Sequence, residues 1–193
     1  MTELLTRDVA PVRRRDAQAT RAAILEAGKA QFARLGYESA TLRDISAAAG
    51  VDVALIKRYF GGKEGLFTEA LRSSLRGDRV REWDRATFAC EMATMMAGDA
   101  HADETRTQGF QFLLRAATSP ATAPLLSVAV QERFLEPIRE WLGGDDAQAR
   151  ARVLAAAFIG CLVERLIRGE ALAGREREVF IDRAAAMFET LIG

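Results

Sequence analysis

Residues 41–63, TLRDISAAAGVDVALIKRYFGGK, narrow most sharply what this chain can fold into. Thr41 is suited to cap a helix, its hydroxyl accepting one of the backbone N–H groups that a first turn leaves unpaired. Asp44, three residues on, makes a capping box available and puts negative charge at the positive end of the helix dipole. Leu42, Ile45 and Ala49 recur at helical spacing and define an inward face. Gly50 ends that helix, because glycine enters the left-handed region without a Cβ clash. Val51 packs the turn, and Asp52 caps a second short helix. There Ile56 and Phe60, four apart, point to the core, leaving Val53, Ala54, Lys57 and Arg58 outward. Gly61-Gly62 breaks the helix and Lys63 starts another. Two short helices joined in this way place the second where it can enter a DNA major groove. A pair of ordinary amphipathic helices with a solvated charged face fits the same residues.

What precedes and follows this segment decides between the two. From Thr20 to Leu71 the chain resembles the N-terminal domain of the tetracycline-repressor (TetR) family of bacterial transcription regulators. The resemblance is carried by Arg21, Ile24-Leu25, Ala27 and Phe32, then Gly36-Tyr37, then Thr41, Ile45 and Ala48-Ala49-Gly50-Val51. Tyr59-Phe60, Lys63-Glu64 and Leu66-Phe67 complete it without a gap. Four positions depart from the family pattern. Lys57 stands where a tyrosine is usual, Leu55 where a small or hydroxyl residue is common, Gly62 where a serine usually caps the next helix, and Gln31 at an apolar position. Lys57 and Leu55 sit on the reading face, so the base preference of a relative does not transfer.

Charge is uneven along the chain. The 27 Lys/Arg and 27 Asp/Glu cancel overall, but residues 1–72 hold twelve against nine, leaving the remainder at −3. A mildly basic end on an acidic body suits docking of one end on phosphates, although chance variation in surface charge gives as much. Cys90 and Cys161 lie in apolar helical surroundings and read as small core residues. With His101 alone in a polar loop, they cannot form a usual structural zinc site. No Gly-rich phosphate loop, metal-ligand spacing or nucleophile–base set is present, so an enzyme is not expected, and neither a catalytic residue, a metal nor a cofactor. Arg13-Arg14-Arg15 is followed by Asp16, not by an apolar run, so no secretory signal is read. No stretch reaches transmembrane length, and a cytoplasmic location with no membrane partner is expected.

The fold class is all-α, with about nine helices. Residues 1–16 read as a flexible arm, in which the arginine run either clamps DNA or is a solvated tail. Residues 17–62 form a three-helix helix-turn-helix domain, its first helix over 17–35 with Leu25, Gly28, Phe32 and Leu35 on one face. Residues 63–193 form a helical regulatory and dimerisation domain. Its helices are placed near 63–76, 78–97, 103–118, 119–142 (kinked at Pro137), 147–168 and 175–192. Phe88, Met92, Met95, Phe110, Leu113, Leu114 and Phe158 could line a ligand cavity, or form a plain hydrophobic core. Small residues cluster at 155–157 with Gly160 and Cys161, and again at 184–186. Ala156, Gly160 and Ala185 are the dimer-interface candidates, by a resemblance that implies a four-helix bundle with a second copy; packing inside one subunit is the other reading.

The function expected is a sequence-specific DNA-binding transcription regulator. It would be a homodimer on a palindromic double-stranded operator, acting as a repressor that a small-molecule effector releases. The alternative is a DNA-binding protein without an effector. Base reading falls to Arg43, Lys57, Val53 and Ala54, phosphate contact to Lys63, Tyr59 and the helix that Thr41 opens, and Arg58 to either.

Overall fold

A computed structural model describes residues 10–75 and 77–193 of the chain. Among the described residues every regular element is helical: α1 (Ala10–Ser39), α2 (Leu42–Ala49), α3 (Val53–Phe60), α4 (Lys63–Ser74), α5 (Arg85–Met96), α6 (Glu104–Thr118), α7 (Ala123–Val130), α8 (Glu136–Leu142), α9 (Ala147–Arg168) and α10 (Gly174–Ile192). A π turn, Gln131–Leu135, joins α7 to α8, so these two form one bent rod and the described rods number nine. No helix among these residues is long and apolar enough to cross a membrane.

The chain divides into two compact units, one ending at Leu71 and one running from Arg72 to Gly193. In the first, α1 starts at Ala10 instead of residue 17, and leaves helical geometry at Gly36. The arm over residues 1–9 and the side chains of the arginine run lie outside the described residues. Ile24 and Phe32 of α1, Ile45 of α2, Ile56 of α3, and Leu66, Phe67, Ala70 and Leu71 of α4 make the core. The buried edge of α1 runs through Ile24, Gly28 and Phe32, four apart, while Leu25 and Leu35 are only half-buried. Phe32 and Tyr37 both meet the Phe67 ring edge-on, with centroids 4.9 and 4.8 Å away. Edge-to-face rings add attraction beyond their buried area. These contacts draw most of α4 into the first unit, although the sequence reading opens the second domain at residue 63.

The second unit is built on α5 packed along α10, with α8 and α9 closing over them. Trp83, Phe88, Trp141, Phe158 and Phe188 form a continuous ring cluster, with neighbouring centroids 4.8–6.1 Å apart. Trp141, partly buried against the cluster, satisfies its indole N–H on the Trp83 carbonyl at 3.1 Å.

Two predicted helices are broken. The helix expected over 78–97 divides into a 3-10 turn, Gly77–Glu82, and α5, because the Asp84 carboxylate caps the Ala86 N–H at 2.9 Å and restarts the winding. The helix expected from residue 119 begins at Ala123. Ser119–Thr122 is a turn whose Thr122 hydroxyl donates to the Ala116 carbonyl at 2.8 Å. The kink expected at Pro137 takes the form of the π turn just before it, where the Glu136 N–H donates to Gln131, five residues back. A proline removes one i→i−4 bond and crowds the carbonyl four residues back, and a widened turn accommodates both.

Phe188 is fully buried at the meeting of α5, α9 and α10. Phe188→Ala is expected to lower the stability of the body by about 3–5 kcal/mol, read as a lower urea midpoint with the slope unchanged.

Candidate nucleic-acid interface

The first unit holds α3 with one side in and one side out. Thr41 Oγ1 accepts the Asp44 N–H at 3.1 Å, and its hydroxyl donates to the Asp44 carboxylate at 2.7 Å. The capping box is therefore made side chain to side chain, because aspartate is one methylene shorter than the usual glutamate. Gly50, at φ 66°, carries the chain out of α2; the Val51 N–H then reaches back to the Ser46 carbonyl at 3.0 Å. Asp52 Oδ1 accepts the Ala54 N–H at 2.7 Å and starts α3. The Gly61 N–H closes α3 on the Lys57 carbonyl at 2.9 Å.

Ile56 is 0% exposed and sets the roll of the helix. Ala54, Lys57 and Arg58 turn away from Ile56 and are exposed, as are Val53 (40%) at the start of α3 and Arg43 on α2. Thr41 is exposed beside Arg43. Tyr59 is half-buried, with the Arg58 guanidinium 6.0 Å from its ring centroid. The structure thus leaves the cationic and small apolar candidates of α3, and Arg43 of α2, open to a partner. Such residues can donate to guanine O6 and N7 and meet a thymine methyl.

Lys63 is tied into the fold more closely than the sequence reading expects. Its Nζ donates to the Glu38 carbonyl at 3.1 Å and stands 4.7 Å from the Tyr37 ring centroid. An ammonium carries three N–H donors, so a phosphate oxygen can share it. Burial, and then the carboxylates of Glu64 and Glu38, hold the Tyr37 phenol above its ordinary range. Phe60 is half-buried instead of fully inside, and the Arg21 guanidinium lies 4.9 Å from its ring centroid.

Sequence reasoning passed over Gly65. A Cβ there would come within 1.8 Å of the Phe60 carbonyl oxygen, a distance no substitution can tolerate without moving backbone. Gly65 is what lets α4 start directly beneath the end of α3. The only hint in the sequence is a glycine in the first turn of a helix that already has Gly61-Gly62 before it.

The body candidates divide. Phe88 and Phe158 lie in the ring cluster, and Met92 and Met95 pack against it, so these four belong to the core. On α6 it is Phe112 that is buried, while Phe110, Leu113 and Leu114 are half-buried. The seven are spread over α5, α6 and α9. A crevice beside Phe110, Leu162 and Leu166 has room for about 10 Å³, about one water. Arg106 and Arg165 also line it. Arg165 is 6% exposed and donates to the Gly98 carbonyl at 3.2 Å and to that of Asp99. Burial, then the charges of Arg106 and Arg168, lower its guanidinium pKa.

Ala156 and Gly160 are exposed on α9, in line with exposed Val153, Ile159 and Ile167, the last 80% exposed. Exposed Val179, Ala186 and Met187 repeat the pattern on α10. Ala185 is half-buried against the core instead, and its neighbours Ala186 and Met187 take the outward positions. Cys90 is exposed on α5, contrary to the expectation of a core residue. Cys161 is half-buried, its thiol pKa raised by burial and by Glu164. No cluster of three or more potential metal ligands occurs among the described residues.

Asp52→Ala is expected to cost about 1 kcal/mol through loss of the cap. Gly65→Ala should cost more and broaden the NMR resonances of α3; near-native melting of Gly65→Ala would contradict the close approach.

Residues 24–70 match the family model of bacterial regulatory proteins of the tetR family, and residues 86–192 match that of the tetracyclin repressor-like C-terminal domain. The HTH-type transcriptional regulator BetI of Agrobacterium fabrum is 28% identical over 163 residues, 79% of this chain and 79% of BetI. Among solved structures, the multidrug binding protein EbrR complexed with malachite green superposes with a TM-score of 0.64 at 20% identity, covering 90% of this chain and 98% of EbrR. The fatty acid degradation regulator FadR from Bacillus halodurans gives 0.62 at 15%, covering 90% and 95%. At these identities the structural likeness speaks for a shared fold.

Proposed function

We propose that this chain, which belongs to the TetR family of bacterial regulatory proteins, is a repressor that binds a palindromic operator as a homodimer and leaves it when an effector binds the body. The coarser statement is secure: the family is one of DNA-binding transcription regulators, not of enzymes. A cytoplasmic location follows from the reading. The observation that carries the finer one is the roll of α3, which buries Ile56 and leaves Ala54, Lys57 and Arg58 exposed, with Val53 exposed at its start.

Phosphates supply most of the affinity and set the register, while base edges supply the preference. Arg43, Lys57, Val53 and Ala54 read bases. Lys63, Tyr59 and the start of α2 at Thr41 meet phosphates. Arg58 serves either role. A two-fold dimer would bring two such helices to successive turns of the duplex, roughly 34–36 Å apart. The face that pairs the copies is the exposed apolar stripe of α9 and α10, where Ala156 and Gly160 permit close helix approach. Exposed apolar side chains at helical spacing on two adjacent helices mark an interaction surface. An effector shifts the balance between operator-bound and released conformers only through its differential affinity for the two.

A second reading, a DNA binder with no effector, draws support from one observation. Of the aromatic candidates for a ligand pocket Phe88 and Phe158 fill the core, and the crevice beside Phe110 has room for little beyond a water. Titration of a bound operator with a compound library separates the two; release by no compound favours the second.

Selection of duplexes from a random pool should return an inverted repeat, and recovery without symmetry or preference would overturn the repressor reading. On that operator Arg43→Ala and Lys57→Ala are each expected to cost about 1–3 kcal/mol and to relax particular base pairs. Lys63→Ala should weaken all duplexes alike and reduce the salt slope by about one, as gel-shift titrations at several salt concentrations would read. Ile159→Glu should convert a sedimenting dimer to a folded monomer; a persistent dimer would place the interface elsewhere.

A further inference from the structure

Arg21 has no role in the reading above, yet it joins three helices at one point. From α1 its Nη2 lies 3.0 Å from Glu69 Oε1 on α4. The same guanidinium lies 4.9 Å from the ring centroid of Phe60, the last residue of α3. From the other side, α4 approaches the Phe60 carbonyl so closely that Gly65 has no room for a Cβ. The next residue, Gly61, supplies the N–H that closes the helix on Lys57. The end of α3 is therefore gripped by a cation over its ring and by backbone against its carbonyl. Lys57 and Arg58, both exposed, lie in the turn that is gripped.

We propose that Arg21 is a positioning residue for base reading: acting through Phe60, it fixes the last turn of α3 so that Lys57 and Arg58 meet the duplex in one register. The inference rests on α3 being the reading helix. A planar guanidinium can lie over a ring and donate to a carboxylate at once, and a lysine ammonium cannot do both in the same geometry. The Arg21–Glu69 pair is partly exposed, at 42% and 32%. Pairs of that kind contribute little to stability, so the contribution of Arg21 is direction, and its removal should leave the unit folded. A misdirected turn weakens base contacts, which are geometric, more than phosphate contacts, which follow net charge.

The test uses the full chain as wild type, Arg21→Met, Arg21→Lys, Phe60→Leu and the Met/Leu double variant. In the free protein, hydrogen exchange of the Gly61 amide is expected to quicken about tenfold in Arg21→Met, with core amides of α1 and α4 unchanged. The ratio of affinities for the selected operator and a scrambled duplex should fall about tenfold, with scrambled-duplex affinity and salt slope unchanged. Arg21→Lys should fall between, and the double variant should be no worse than the more severe single. Unchanged exchange and ratio would overturn the proposal. So would additive losses in the double variant, or an equal loss on both duplexes with a smaller salt slope, which would make Arg21 a phosphate contact. If the wild type shows no base preference, the reading of α3 falls, while the Gly61 exchange still decides whether Arg21 holds the turn. Should Arg21→Met fail to fold, Phe60→Leu carries the same two measurements.

Discussion

Burial of Ile56 sets the roll of α3, and the outward placement of Ala54, Lys57 and Arg58 follows from it. A helix of eight residues cannot hold its conformation alone in water, because nucleation is unfavourable and few bonds repay it. Two features external to its own hydrogen bonds hold it here: the Asp52 cap at the start, and packing against α1 and α4 at the end. With Ile56 inside, helical geometry turns Ala54 and Arg58 to the opposite side and Lys57 to the flank, while Val53, three residues before Ile56, is 40% exposed at the start of the helix. The outward surface is thus a by-product of core packing.

The supports are mostly small or aromatic. Phe32, Tyr37 and Phe67 meet edge to face, and Lys63 sits above Tyr37 while holding the Glu38 carbonyl. Gly65 brings backbone against backbone. These contacts tie the start of α4 to the end of α1, and so fix both ends of the segment that contains α2 and α3. Lys63 illustrates how one residue can serve two ends: an ammonium that orders the fold still has donors for a phosphate.

The body follows a different logic. Its interior is a cluster of five large rings, and its outside carries an apolar stripe along α9 and α10. Rings with neighbouring centroids 4.8–6.1 Å apart leave no room for a guest among them, so any small molecule bound there would have to part elements that are closed here. Such a change is possible only if the opened state lies within a few kcal/mol of the closed one. α6, with Phe112 and Ala116 as its buried residues, and α7, with Ala129 alone, have least burial to lose.

Local rules were enough for much of this. Thr41, Asp52, Gly36, Gly50 and Gly61 mark helix ends because their chemistry acts within four residues, and the limits of α2, α3 and α9 match the sequence reading closely. Charge and small apolar side chains at 53, 54, 57 and 58 were equally legible, since a helix of known phase has a known outer face. The break at Asp84 and the π turn before Pro137 were missed or only half seen, because a cap and a proline each permit more than one local solution and packing selects among them. The inward choice of Ile24 over Leu25, Phe112 over its neighbours and Ala186 over Ala185 as outward residue depends on a roll of a few tens of degrees that no periodicity resolves. Exposure of Cys90, the close approach at Gly65, and the grip of Arg21 on Phe60 across 39 positions of chain belong wholly to the tertiary structure. They depend on distances between helices, and those are settled only when all the side chains between them are packed together.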